Sequence, residues 1–380
     1  MESLLDFALE ERYKRVVESG DKVAEFDILI EWDMFRPIIG ELYTNTTEQG
    51  GRPNIDVILM VKMLVLQSTY GLSDPELERQ ANDKISFLKF LGFPEKIPDN
   101  STIWFFRERL INPGKLELIR QELQRQQDDM GLKIKKGTIQ DATFITADPG
   151  HAPADKLRGD QARTRRSKEG TWTKKNSKSF FGFKVHTKED CDFGLIRELQ
   201  TTTASLHDSE IDLSKEGEVV YRDKGYFGVK PLGFDATMKR GVRNHPIGIW
   251  DKLRNKRISK KRYPGERPYA VIKTVFKSAH TMVTTIVRVH AKMVFAALSF
   301  NLGLIRTFKH RGVIYRTLSH FKKTGEFKGL YADFPGNDKR YCSKILLHPD
   351  LLKLFEILIK MPPPIFMLYA CGPRHHVVFF

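Results

Sequence analysis

Three acidic side chains stand where chemistry on a phosphodiester could be carried out. Asp141 sits in the apolar run TIQDATFI, Asp223 follows VVYR in VVYRDKGYFG, and Glu266 lies in RYPGERPYAVIK. A carboxylate inside an apolar strand is costly unless it is paired or holds a metal. A carboxylate at the C-terminal end of a strand, ahead of a Gly-containing turn, is where open α/β sheets keep their sites. Taken singly, each has a plainer reading: Asp141 facing solvent on an edge, Asp223 forming a turn or cap, Glu266 favoured near a helix N-terminus. Taken together they imply a cation. At about 4 Å each like-charge pair costs about 4 kcal/mol at an effective dielectric of about 20. Hard oxygen ligands with room for water and phosphate favour Mg²⁺ or Mn²⁺. Two such ions, about 3.5–4 Å apart, activate a nucleophile and steady the leaving oxygen in phosphodiester cleavage.

Basic residues bracket these acids. Residues 156–188 hold eleven Lys/Arg against two acids, interleaved with Trp172, Phe180, Phe181 and Phe183. Residues 239–262 hold ten against one. One such run reads as a solvated face; two around candidate metal ligands fit phosphate contacts better. Arg262, Glu266 and Lys273 are spaced four and seven residues apart, which a continuous helix would gather on one side. Arg262 and Lys273, with Lys224 beside Asp223 and Arg257 in the second basic run, are the candidate DNA contacts.

The elements that must position these residues read in three parts. Up to residue 136 the pattern is helical. Asn54 to Thr69 is apolar nearly all round and predicts a buried helix ended by Gly71. Ser73-Asp74-Pro75-Glu76 predicts a capped helix start, Ile85 to Leu91 a short helix closed by Gly92, and Asn100-Ser101 a cap for a helix through Trp104 and Leu110. Short helices joined by tight turns suit either a helix-turn-helix DNA-binding unit or a bundle that binds nothing. From Gly137 the period changes: Gly137–Ile145, Phe180–Thr187, Gly194–Thr201 and Glu218–Arg222 read as strands. A helix is expected around Ser205–Lys215, and helical periodicity resumes beyond Arg262. The result is an α/β fold class, or α+β. The tail from Thr307 to Phe380 shows no clear period.

Composition narrows the function. The 380 residues suggest two to three units at about 150 each. A net charge of +16 favours a polyanionic partner. The acidic N-terminus is unlike a signal peptide, and no uninterrupted apolar run reaches the roughly 18 residues of a spanning helix. Three cysteines without a CxxC pair suit a reducing compartment and no structural zinc. No GxxxxGK[ST] loop supports a nucleotide cofactor. His207-Asp208 reads as a cap, or as a pair that supports the site from behind, rather than as an acid/base pair, and Asp148, beside Pro149-Gly150, as a turn.

At this point the chain resembles the DDE transposases of prokaryotic insertion sequences, in the insertion sequence four/five-like group. The carrying residues are IQDATFI at Asp141, FFGFKVH at Phe180–His186, TTTASLHDS through Asp208-Ser209, VVYRDKGYFG at Asp223, and RNKRISKKRYPGERPYAVIK, whose R-x3-E-x6-K spacing falls on Arg262, Glu266 and Lys273. FAALSFNLGLIRT and GRPNIDVILMVKMLVLQSTYGLSDPELE are similar to the family as well. The resemblance covers about Phe35 to Arg306. It implies a ribonuclease-H-like mixed-sheet catalytic core over 137–306, preceded by an all-helical DNA-binding region over 1–136 and followed by a tail over 307–380. It implies Asp141, Asp223 and Glu266 as the catalytic and metal-binding acids, with Mg²⁺ or Mn²⁺ as cofactor. Cleavage and strand transfer at terminal inverted repeats would follow, performed by a homo-oligomer on double-stranded DNA in the cytoplasm at the nucleoid, with no membrane. The alternatives are an inactive transposase-derived DNA-binding protein and a metal-dependent nuclease. Two departures stand out: Ser259 occupies the position where the signature has Tyr, and Pro264, Gly265 and Pro268 crowd Glu266, placing it at a helix start.

Overall fold

Local chemistry sets the N-terminal helices. The computed structural model describes residues 4–18, 20–43, 54–111, 114–150, 167–175 and 177–311. Eight helices come first: α1 (Leu4–Glu18), α2 (Lys22–Leu29), α3 (Arg36–Ile39), α4 (Val57–Tyr70), α5 (Asp74–Asp83), α6 (Ile85–Leu91), α7 (Asn100–Ile111) and α8 (Lys115–Asp129). α4 is buried on most of its surface, as its apolar sequence requires. Asp56 caps its first turn and Gly71, at φ 61°, ends it in the left-handed region. Ser73 caps α5 with Pro75 in its first turn, and Gly92 closes α6. The cap of α7 is Asp99, whose carboxylate accepts from the Thr102 N–H at 2.7 Å. That is one residue before the expected Asn100-Ser101.

Among the described residues the sheet has seven strands: β1 (Thr138–Ala147), β2 (Thr171–Lys175), β3 (Lys178–Asp190), β4 (Ile196–Thr203), β5 (Val219–Arg222), β6 (Phe234–Thr237) and β7 (His280–Thr281). β3 pairs antiparallel with β1, β2 and β4, while β5 and β7 run parallel to β1 and β6 parallel to β5. An antiparallel meander on one side of β1 and parallel strands on the other make the mixed α/β sheet of a ribonuclease-H-like core after a helical region.

The chain then forms α9 (Ile249–Arg262), α10 (Glu266–Ala270) and α11 (Ile286–His310). By length and composition α11 could cross a membrane, yet 72% of its most apolar window is buried inside the protein. It is a core helix. The Asn301 side chain accepts from the Ile196 N–H at 2.9 Å and donates to the Ile196 carbonyl at 2.8 Å, satisfying the start of β4. Contacts divide the chain into one compact unit up to Lys309 and a second from His310; nearly all of the second, and with it the tail read from the sequence, lies outside the described residues.

Three sequence expectations are corrected. The helix expected over Ser205–Lys215 is a single 3₁₀ turn, Asp208–Glu210, followed by extended chain. Side chains there satisfy the backbone in place of a helical ladder: His207 accepts from the Ser209 N–H, Asp212 from Ser214, and Gln140 donates to the Ile211 carbonyl. Helical structure resumes at Ile249, not after Arg262. The stretch from Arg262 to Lys273 is also not one helix: α9 ends at Arg262, a 3₁₀ turn spans Tyr263–Gly265, and a π-turn follows α10 at Val271–Val275. Pro264 forces that break.

Candidate active site

Register alone brings the first two acids together. In the parallel β1–β5 pair Thr138 lies opposite Val220 and Ile139 opposite Tyr221. Carried on by two residues, that register points Asp141 at the end of β5, where Asp223 follows Arg222, and Asp223 is close enough to raise the Asp141 pKa. Asp223 leaves the strand there and caps the Lys224–Tyr226 turn, its Oδ1 accepting from the Gly225 N–H at 2.7 Å.

Asp141 is three-quarters buried. Its Oδ2 accepts from Arg262 at 3.0 Å, and its Oδ1 from the Ala142 N–H at 2.9 Å. Burial raises its pKa, Arg262 and the Ala142 N–H oppose that, and Asp223 and Asp208 raise it further. The carboxylates of Asp141, Asp223 and Asp208 thus share one field. Asp208, read from the sequence as part of a cap or as a support behind the site, lies beside the site, its turn packed against that of Asp223 and its carboxylate 2.9 Å from Lys184. His207 does cap that turn.

Glu266 is the first residue of α10 and is exposed. Gly265 next to it packs on Ile139 of β1, where a Cβ would come within 2.9 Å of the Ile139 side chain. Among the described residues no set of three Asp, Glu, His or Cys side chains is gathered closely enough to hold a metal ion. The structure therefore brings Asp141 and Asp223 together and leaves Glu266 outside, on the element that abuts them. The donor chemistry of the pair still fits a hard divalent cation: two carboxylates and a third nearby, with one Arg against them.

Of the candidate DNA contacts, Arg262 is half-buried and spent on Asp141. Lys224 and Arg257 are exposed, and Lys273 is half-buried in the π-turn. α9 buries Asn255 and Ile258 and exposes Lys252, Lys256, Arg257, Lys260 and Lys261, a basic face beside the acids. Asn255 fixes that helix with two hydrogen bonds to the Lys239 backbone, at 2.9 and 2.8 Å. Residues 156–166 of the first basic run, with residue 176, lie outside the described residues.

Three further groups join the site: Tyr226 and Tyr269 lie within the motifs VVYRDKGYFG and RYPGERPYAVIK, and Glu189 lies in none. Tyr226 is 1% exposed, and its hydroxyl lacks a hydrogen-bond partner among the described residues. Burial raises its pKa, helped by Asp208, Asp141 and Asp223. Glu189 on β3 is fully buried beneath Gly265, which drives its carboxyl well above the usual range. Tyr269 of α10 shares a 2.6 Å hydrogen bond with Thr187 and so fastens α10 to β3.

His186 is buried 2.9 Å from the Thr202 hydroxyl, and burial holds its pKa down to about 4, against a pull upward from Asp208. The unfolded chain therefore binds the extra proton at higher pH than the folded one. Stability contributed by neutral His186 is complete above about pH 6.5 and is lost as pH falls towards 4. Urea midpoints at pH 7 and pH 4.5 are expected to differ less in His186→Gln than in the wild type.

Residues 11–109 match the family described as a transposase domain (DUF772), and residues 133–302 match the family described as a transposase DDE domain. A curated relative, the transposase for insertion sequence element IS1106 of Neisseria meningitidis serogroup B, is 27% identical over 222 residues, spanning 53% of this chain and 77% of its own length. No solved structure matches the chain.

Proposed function

Because the chain belongs to the DDE transposases of insertion sequences, enzymes that transpose DNA with a divalent metal, we propose that Asp141, Asp223 and Glu266 are its catalytic triad. The observation that supports this reading is the β1–β5 register, which points Asp141 at the end of β5 and Asp223, next to the element carrying Glu266. Asp141 and Asp223, joined by Glu266, would hold Mg²⁺ or Mn²⁺. Such ions, when bound, activate the attacking oxygen and stabilise the leaving one.

The chain's own side chains do the rest. Arg262 holds the Asp141 carboxylate in place and offsets part of the repulsion from Asp223. Lys224, Arg257 and Lys273 take DNA phosphates along the face that α9 presents. Water attacks the phosphodiester at the element's end, the P–O3′ bond breaks and a 3′-OH is released. That hydroxyl then attacks a target phosphodiester, the target's own P–O3′ bond breaking and its 3′-OH leaving as the new bond forms, with no covalent protein intermediate.

Residues 1–136 would recognise the terminal inverted repeats and residues 137–306 perform the chemistry, while 307–380 receive no role. Pairing two ends calls for at least two copies on DNA, at the nucleoid. The R-x3-E-x6-K spacing supports placement in the insertion sequence four/five-like group.

The test is to incubate labelled element ends with a target plasmid, Mg²⁺ and the purified protein. Ends joined covalently to the plasmid are expected. Free cut ends without joined products would reduce the protein to a nuclease, and binding without cuts to a DNA-binding protein.

A further inference from the structure

A second cationic site lies away from the acids. β7 pairs with β1 at Thr146 and Ala147, about 16 Å along the strand from Asp141 at about 3.3 Å per residue. There a cavity of about 370 Å³ opens between α4, α5 and α7 on one side and β7 and α11 on the other. Among the described residues four cations line it, Arg107, Lys277, Arg288 and Lys292, against one carboxylate, Asp74.

Two of the cations are already matched: Arg107 by Asp74 and Gln67, and Arg288 by a two-pronged bond to Glu108 at 2.8 and 2.9 Å. The other two have no described carboxylate within ion-pair distance. Among the described residues the Lys292 ammonium donates only to the His280 carbonyl, at 3.3 Å. Thr281 is 1% exposed, and its hydroxyl has no partner among the described residues. Desolvation, seconded by Arg107, lowers the Lys292 pKa, the mark of a cation that lacks its anion.

The backbone is shaped to the same end. Lys277 is held at φ 51°, in the left-handed region that a side-chain-bearing residue disfavours. Gly71 lies so close that a Cβ there would be 2.9 Å from the Phe276 carbonyl and 3.0 Å from the Lys277 Cβ. A strained lysine and an unpartnered buried hydroxyl facing one cavity are what an anion site needs.

We propose that this cavity is a phosphate site, in which Lys292, Lys277 and Thr281 hold a backbone phosphodiester of DNA at the joint between the N-terminal helices and the catalytic core. The choice of DNA over free phosphate rests on the transposase reading. The site itself is independent of the acid triad.

The experiment measures duplex affinity across a salt series for the wild type, Lys292→Gln and Lys277→Gln. Loss of one phosphate contact lowers the slope of log K against log salt by about 1, and weakens binding by a similar factor on every sequence. Both variants are expected to do this. Lys292→Gln is also expected to melt no lower than the wild type, because it removes an unpaired ammonium. A second arm follows melting temperature with inorganic phosphate at constant ionic strength, which should rise for the wild type and not for Lys292→Gln. Slopes equal to wild type in both variants overturn the DNA assignment. If phosphate then still stabilises only the wild type, the cavity is a free-anion site instead. A wild type that binds no duplex at any salt would refute the transposase reading rather than the cavity, which the phosphate arm tests alone.

Discussion

Replacing Asp223 by Asn is expected to slow metal-dependent nicking at the element's end by on the order of 10³-fold, corresponding to several kcal/mol of lost metal-borne transition-state stabilisation. Duplex affinity should change little. The substitution is nearly isosteric, and an amide oxygen can still accept the Gly225 N–H that shapes the turn. What it removes is one negative charge from a pair brought together by the β1–β5 register. The Asp141 pKa then falls, because Asp223 is one of the two carboxylates raising it. Binding and folding are thereby separated from chemistry. Single-turnover nicking of a labelled end in Mg²⁺, beside a binding titration on the same duplex, checks both halves. Nicking at the wild-type rate would remove Asp223 from the chemistry.

Replacing Arg197 by Ala is expected to cost about 3–5 kcal/mol of stability, the range for removing one partner of a buried ion pair. Arg197 is 1% exposed, and its Nε donates to Asp190 Oδ2 at 2.9 Å. Asp190 itself has no exposure. The same guanidinium reaches Gln127 and Asp128 at the end of α8, and the Leu132 carbonyl. One side chain therefore ties β4 to the helical region. Burial raises the Asp190 pKa and Arg197 opposes it. Without Arg197 the folded-state pKa climbs further above the unfolded value, so the deficit grows as pH rises above about 4. Urea melts at pH 5 and pH 8 are expected to show the larger loss at pH 8. Adding Asp190→Asn should recover part of it, since the stranded charge is then gone.

The helices were legible where a short-range rule decides them. An apolar run, a Ser-x-x-Glu start and glycines past the last turn fixed α4, α5 and α6, because caps and burial act within a few residues. Strands β1, β3, β4 and β5 were legible from their apolar runs. β2, β6 and β7 were not: five, four and two residues long, they exist because β3, β5 and β1 offer them partners. The helix expected at Ser205–Lys215 failed because Gln140, from a distant strand, takes the Ile211 carbonyl and keeps the chain extended.

At the site, residue type pointed to Asp141 and Asp223, and register explains their proximity. Glu189 carried no such signal; Asp208 and Tyr226 stood within the motifs TTTASLHDS and VVYRDKGYFG, but only folding sets them around Asp141. Arg262 was read as a phosphate contact, and the structure pairs it with Asp141, since the break at Pro264 turns the end of α9 onto β1.

The central claim is that Glu266 completes a metal site with Asp141 and Asp223. The most direct test is anomalous diffraction from Mn²⁺ in crystals of the protein on an element end. The expected result is manganese bound by Asp141 and Asp223, with Glu266 as a ligand. Manganese held by Asp141 and Asp208 instead, with Glu266 still exposed, would contradict it.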